Sequence, residues 1–143
     1  MPSVVAILVA ASVCCGPRVP ASATPAAPTT QASQETPIEV TLGVGEEFVV
    51  PGRRGTVSFI RVVEDSRCPT GVNCVWEGDA TVEVGVQTVG LPERLQLHTN
   101  DRFAQEATAR GLRVRLKFLE PYPKADRPVS PGDYRVVLSV SPE

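Results

Sequence analysis

From Ile38 onward the apolar positions recur every second residue. Ile38, Val40 and Leu42 alternate with Glu39 and Thr41, and Ala80, Val82, Val84 and Val86 alternate with Thr81, Glu83, Gly85 and Gln87. Leu112, Val114, Leu116 and Phe118 alternate with Arg113, Arg115 and Lys117, and Tyr134, Val136, Leu138 and Val140 with Arg135, Val137 and Ser139. A period of two means a strand with one face buried. Glu46–Val50, Gly55–Val63 and Arg94–His98 supply further strands, and the pattern in Gly55–Val63 changes phase between Phe59 and Ile60, as a β-bulge or a strand passing between sheets requires. Gly, Pro, Asn and Asp punctuate the runs at Gly43-Val44-Gly45, Pro51-Gly52, Gly90-Leu91-Pro92, Asn100-Asp101 and Pro131-Gly132-Asp133. One stretch, Arg102 to Arg110, is rich in Ala, Gln and Glu and stops at Gly111, which predicts a short helix. About seven short strands and at most one short helix predict an all-β antiparallel sandwich, Ig-like or Greek-key, over residues 38–143.

The first 37 residues follow another rule. They carry two charges, Arg18 and Glu35, and the other 28 lie in residues 38–143. Val4 to Val13 is a ten-residue apolar run, the size of a secretory h-region and too short for a lasting membrane span. Cys14-Cys15-Gly16 follows, and then Pro17 to Pro37 holds five Pro, five Ala and six Ser/Thr. That composition cannot bury enough apolar surface to offset chain entropy, which predicts an extended tether over residues 16–37. An apolar run ending in Cys before such a tether resembles a bacterial lipoprotein precursor, with residues 1–15 as leader. The resemblance implies acylation at Cys14 or Cys15 and a membrane partner reached through the lipid. The absence of Lys or Arg before Val4 points to a start further upstream, and Ala21-Ser22-Ala23 offers a competing cleavage site that releases a soluble protein from Thr24. A cytosolic chain with an apolar N-terminus is the third possibility. Export to the cell envelope or beyond is the expectation.

Charge and composition then narrow the chemistry. With 14 Lys and Arg against 16 Asp and Glu there is no basic excess for nucleic acid. A single His rules out a multi-histidine metal cluster, and neither G-x-S-x-G nor a phosphate-binding Gly loop is present, so no metal, cofactor or catalytic residue is assigned. With Cys14 and Cys15 in the leader, Cys68 and Cys74 remain, six positions apart across Pro69-Thr70-Gly71. In an oxidising compartment this spacing favours a disulfide. Zinc is the alternative, but C-x5-C is not a usual knuckle and no second ligand pair exists.

The segment Glu64 to Ala80 is the most constrained. It gathers the Cys pair, the only Trp, four acids and Arg67 between two strands. Asp65-Ser66-Arg67-Cys68-Pro69, Cys74-Val75-Trp76 and Gly78 resemble the shared core of a family of uncharacterised exported bacterial proteins, many of them lipoproteins. Leu119-Glu120-Pro121-Tyr122-Pro123 and Pro131-Gly132-Asp133-Tyr134 extend the resemblance, which implies a fold and an address but no activity. Two readings of the segment follow from its residues. In one it is a clasp, with Trp76 packed on the disulfide and Arg67 paired with Asp65 or Glu64. In the other it is a recognition edge presenting Arg67, Trp76, Glu77 and Asp79 on a stapled loop.

Weaker constellations complete the set. Arg113, Arg115 and Lys117 share a strand face that suits an anionic surface or simply solvent. His98 falls among polar positions beside Leu95 and Leu97 and reads as solvent-facing. The leading expectation is a non-enzymatic envelope-binding or structural module whose partner is an envelope protein or glycan. Pro69-Thr70-Gly71 and Arg127-Pro128 also resemble parts of two inhibitory loops of the chagasin class of cysteine-protease inhibitors, although here cysteines bound the first loop and Val129 replaces the aromatic expected after Arg-Pro. A third reading makes Glu64/Asp65 and Glu77/Asp79 the paired carboxylates of a glycan-acting enzyme.

Overall fold

A computed structural model describes residues 36–52 and 55–143. The leader, most of the tether, Cys14, Cys15 and the Ala21-Ser22-Ala23 site lie outside the described residues. Eight strands occur in the order β1 (Ile38–Gly43), β2 (Glu47–Val50), β3 (Gly55–Asp65), β4 (Ala80–Gln87), β5 (Glu93–His98), β6 (Glu106–Ala109), β7 (Leu112–Glu120) and β8 (Arg135–Pro142). They form two four-stranded antiparallel sheets, ordered β1-β8-β7-β6 and β2-β3-β4-β5. The fold is an all-β sandwich. Consecutive strands β2 to β5 neighbour one another in one sheet and β6 to β8 in the other, and β8 returns to pair with β1. Short turns join β4 to β5 and β6 to β7, while long connections join β3 to β4 and β7 to β8.

The core is the sum of the inward faces. Val57, Phe59, Val82, Val84, Val86 and Leu97 come from one sheet and Leu112, Val114, Leu116, Val136, Leu138 and Val140 from the other, all buried. The phase change in β3 is a register shift between Phe59 and Arg61 on the β4 partner, a bulge that returns Val62 to the inner face opposite Val82. β3 shifts again between Val62 and Glu64, and β7 shifts between Leu116 and Phe118, the last not legible in the alternation. The β7 shift puts Leu119 in the core and turns Phe118 outward, 63% exposed, where simple alternation made Phe118 a core residue.

The expected helix at Arg102–Arg110 is replaced by a turn and then β6. Glu106 to Ala109 pairs with Leu112 to Arg115 across the two-residue loop Arg110-Gly111, both at positive φ (55° and 74°). That is the geometry of a tight primed hairpin turn, in which right-handed strand twist is accommodated by two left-handed residues. Helix propensity loses here because Ala107 and Ala109 have an inner face to fill and Gly111 closes a hairpin. The one helical element among the described residues is a single 3-10 turn, Pro131–Asp133.

The two ends of the sandwich are unlike. One carries the tight turns: the β4–β5 tip at residues 88–92, the Arg110-Gly111 turn, and the point at Ile38 where the chain comes in beside Val140. The other carries the long connections, residues 66–79, 99–105 and 121–134.

Candidate functional site

The long-connection end is organised around Arg67, which is buried at 7% exposure. Its Nε donates to Asp65 Oδ1 (2.8 Å) and Nη2 to Asp65 Oδ2 (2.6 Å), a two-point fork with the carboxylate. Nη1 donates to the Leu119 carbonyl (2.7 Å) and Nη2 also to that of Pro121 (3.0 Å). The Tyr134 hydroxyl donates to Asp65 Oδ2 (3.0 Å), and the guanidinium lies 5.0 Å from the Tyr122 ring centroid. The Asp65–Pro69, Leu119–Pro123 and Pro131–Tyr134 segments therefore meet at one arginine–carboxylate pair, the second through the guanidinium and the third through Asp65. A planar five-donor group is what two carbonyls and a carboxylate from separate chain segments need, and a lysine could not reach all of them.

A second knot ties the far side of the loop. Asp79 Oδ1 accepts the Asn100 N–H (2.9 Å), the Thr99 N–H (3.1 Å) and the Thr99 hydroxyl (3.2 Å), while Oδ2 lies 2.6 Å from His98 Nδ1. Asn100 Nδ2 donates to the Gly78 carbonyl (2.9 Å). His98 is thus not the solvent-facing residue expected. It is held by Asp79, lies 3.3 Å from Thr81 Oγ1, and its ring centroid is 5.1 Å from that of Phe103.

Between these knots the chain makes a narrow excursion. The Ser66 N–H donates to the Asp79 carbonyl (2.7 Å) and the Cys68 N–H to that of Glu77 (3.0 Å), zipping the two flanks together. Cys68 and Cys74 form the disulfide, with Cα atoms 5.9 Å apart. Beside the ring, the Thr70 N–H donates to the Pro123 carbonyl (3.0 Å) and the Ala125 N–H to that of Thr70 (3.3 Å). The loop is thus fixed by a covalent ring, two flanking hydrogen bonds and two more to the 121–127 segment.

The expected recognition residues separate into two groups. Arg67 is buried and holds the loop, whereas Asp79 is half-buried, tied to its neighbours, and still lines the groove beside Trp76. Trp76 does not pack on the disulfide: it is 74% exposed, next to Val75 at 89%. Glu77 is exposed as well. Trp76, Glu77 and Val75 line a groove of about 550 Å3 with Glu64, Arg102 and Phe103, the last of which is half exposed. Tyr134, Tyr122 and Asn100 entered the sequence reading only as motif, core or turn positions, and Phe103 not by name; none was expected at the site. The acceptors on Leu119 and Pro121 are backbone atoms, so the side chains there do not announce the contact.

Electrostatics follow from these contacts. Burial pushes the Asp65 carboxyl up, but the Arg67 hydrogen bonds and charge, with the Tyr134 hydroxyl, more than offset it and leave it below its ordinary value. Asp79 behaves likewise, burial being outweighed by the hydrogen bonds from His98, Asn100 and Thr99. Tyr134 is shifted up by burial and by the neighbouring Asp65 charge. On the outer face of the second sheet, Glu83 is held low chiefly by its hydrogen bond from Arg61 (2.8 Å) and also by Arg94 (3.2 Å). All three carboxyls are depressed in the folded state, so the unfolded chain binds protons first as pH falls. Their contribution is complete above about pH 5 and is lost as pH drops through their depressed folded values, starting near the ordinary carboxylate range of ~4. Thermal midpoints recorded from pH 7 to pH 2.5 should therefore be flat at the top and fall steeply below about pH 4. Asp65→Asn should flatten part of that fall while lowering the plateau.

Arg113, Arg115 and Lys117 do line one face of β7, but Glu106 lies 3.9 Å from Arg115 and Glu39 4.0 Å from Lys117, so the face is mixed in sign. Among the described residues no group of three or more His, Cys, Asp or Glu is placed to hold a metal, and no helix is long and apolar enough to cross a membrane. Comparison with known proteins finds no matching family model, curated sequence or solved structure, which leaves the geometry to carry the functional reading.

Proposed function

We propose that the chain is a non-enzymatic binding module of the cell envelope, exported and held there by its N-terminal segment, and that the stapled loop is its recognition surface. The observation that carries the reading is Trp76. A large aromatic side chain stands in solvent on a segment that has been fixed by a disulfide and by backbone hydrogen bonds on both flanks. Rigid loops bind with little ordering cost, and exposed aromatics on them are the residues that dominate binding energy. The long connections lie at the end opposite Ile38, the arrangement in which loops on a sandwich face a partner and the chain terminus faces its support.

The glycan-acting reading loses two of its four carboxylates to structure. Asp65 is forked to Arg67, and Asp79 is committed to His98, Thr99 and Asn100, so neither is available to shuttle a proton. Cysteine-protease inhibition is the second reading, favoured by one observation: the Thr70 loop pairs with the 123–125 segment, which brings Pro69-Thr70-Gly71 beside the stretch leading to Arg127-Pro128.

The test uses the full chain against sedimented murein and against envelope proteins freed of lipid, so that an acyl anchor contributes nothing to the binding. Trp76→Ala should raise the dissociation constant read from co-sedimentation about 30-fold, the effect of losing a hot spot of ~2 kcal/mol. Equal binding by the variant would overturn the proposal, and inhibition of papain at micromolar protein would replace it with the second reading.

A further inference from the structure

The tight-turn end of the sandwich carries a feature that the fold does not need. At the β4–β5 tip, Val89 and Leu91 are 81% and 84% exposed on either side of Gly90, whose φ of +77° makes the turn. Hairpin tips are ordinarily built from polar residues and glycine, because nothing there can bury an apolar side chain. This tip is also well formed, since Gln87 Nε2 donates to the Gly90 carbonyl. Val49, on the edge strand β2 two residues before the Pro51-Gly52 turn, is exposed as well.

The position of the tip says what covers it. Gly55, at the start of β3, abuts both Thr88 and the Leu112 side chain, and the Glu143 N–H donates to the Gly111 carbonyl. Through the pairing of Ile38 with Val140, the residue where the chain comes in lies at this same end. For any flexible linker of 22 residues, the number from Gly16 to Pro37, the coil span is about 25 Å and the fully extended limit ~75 Å. A domain leashed to a bilayer on that length sees the lipid surface at millimolar effective concentration. Two apolar side chains bind a bilayer weakly by themselves, but they suffice when the second contact is intramolecular.

We propose that the Val89–Leu91 tip seats in the bilayer to which the chain is anchored, so that the Trp76 loop is held facing away from the membrane. The inference rests on the envelope-anchored reading above. The seating orients the domain: anchor and tip fix one end, and the recognition loop is presented at the other.

The experiment reads tryptophan emission in the full acylated chain, reconstituted in phosphatidylethanolamine–phosphatidylglycerol vesicles whose acyl chains carry bromine. Trp76 in the native sequence should be quenched by aqueous acrylamide and not by bromine. In the Leu91→Trp variant on a Trp76→Phe background, a tip sunk ~5–10 Å into the headgroup–acyl boundary should lose at least about half its emission to bromine. A chain that floats with the vesicles while residue 91 stays open to acrylamide overturns the seating and leaves the anchor standing. A chain that carries no acyl group and does not float overturns both. Shielding of residue 91 without vesicles, accompanied by a doubled mass, shows that a second copy covers the tip and also overturns the proposal.

Discussion

Replacing Arg67 by Ala should destabilise the domain by about 3–5 kcal/mol, the cost of leaving a buried partner charge uncompensated. Asp65 would keep the Tyr134 hydroxyl but lose both guanidinium bonds, and the Leu119 and Pro121 carbonyls would lose their charged donor. For a domain of this size the thermal midpoint should fall by roughly 15–30 °C. Arg67→Lys should recover little of this, because one ammonium cannot serve a carboxylate and two carbonyls at once. The pairing with Asp65 makes the effect non-additive: Arg67→Ala combined with Asp65→Asn should cost clearly less than the sum of the two single changes. Denaturant unfolding of the four proteins measures this directly. A loss below about 1 kcal/mol for Arg67→Ala, typical of an exposed ion pair, would show that the guanidinium does not organise this end.

Gly78→Ala should be nearly as damaging for a different reason. Its φ is +74°, a region that L side chains rarely adopt. A Cβ there would meet the Ser66 carbonyl, with its carbon at 2.7 Å, and the Arg67 Cα at 2.8 Å. These are backbone atoms, so no rotamer change relieves the overlap. The flanks would have to part, breaking the hydrogen bonds from Ser66 to Asp79 and from Cys68 to Glu77. Left-handed strain and the lost pairing together should cost about 3 kcal/mol or more. Gly71 makes a useful control, since it also has positive φ but nothing lies within 4 Å of its would-be Cβ. Gly71→Ala should cost only about 1 kcal/mol, the conformational part alone. Comparable losses in the two variants would mean that the close approach at Gly78 is not a constraint.

Much of the fold was legible because burial imposes a period. Strands with one wet face must alternate, so seven of the eight could be read from side chains alone, and the slip at Phe59–Ile60 marked a real bulge. β6 was missed because Ala, Gln and Glu are good helix formers, while its strand character depends on β7 lying alongside. The bulge before Phe118 was hidden because Phe118 and Leu119 are both apolar and either could have been the inner residue. At the site, the Cys68–Cys74 bridge and the Arg67–Asp65 pair were readable from local spacing. The rest of the Arg67 cluster was not, because two of its partners are main-chain carbonyls more than fifty residues away. The exposure of Trp76 was equally hidden. A lone Trp beside a Cys pair has the composition of a core contact, and only the three-dimensional course of the loop turns it outward.

The central claim is that Trp76 stands in water on a preformed loop and is covered when the module meets its partner. As the only tryptophan in the chain, it reports on this without any label. The free protein should give a red-shifted, acrylamide-accessible emission that shifts to the blue and loses its accessibility when washed envelope is added. An emission already blue and shielded in the free protein, and unchanged by envelope, would contradict it.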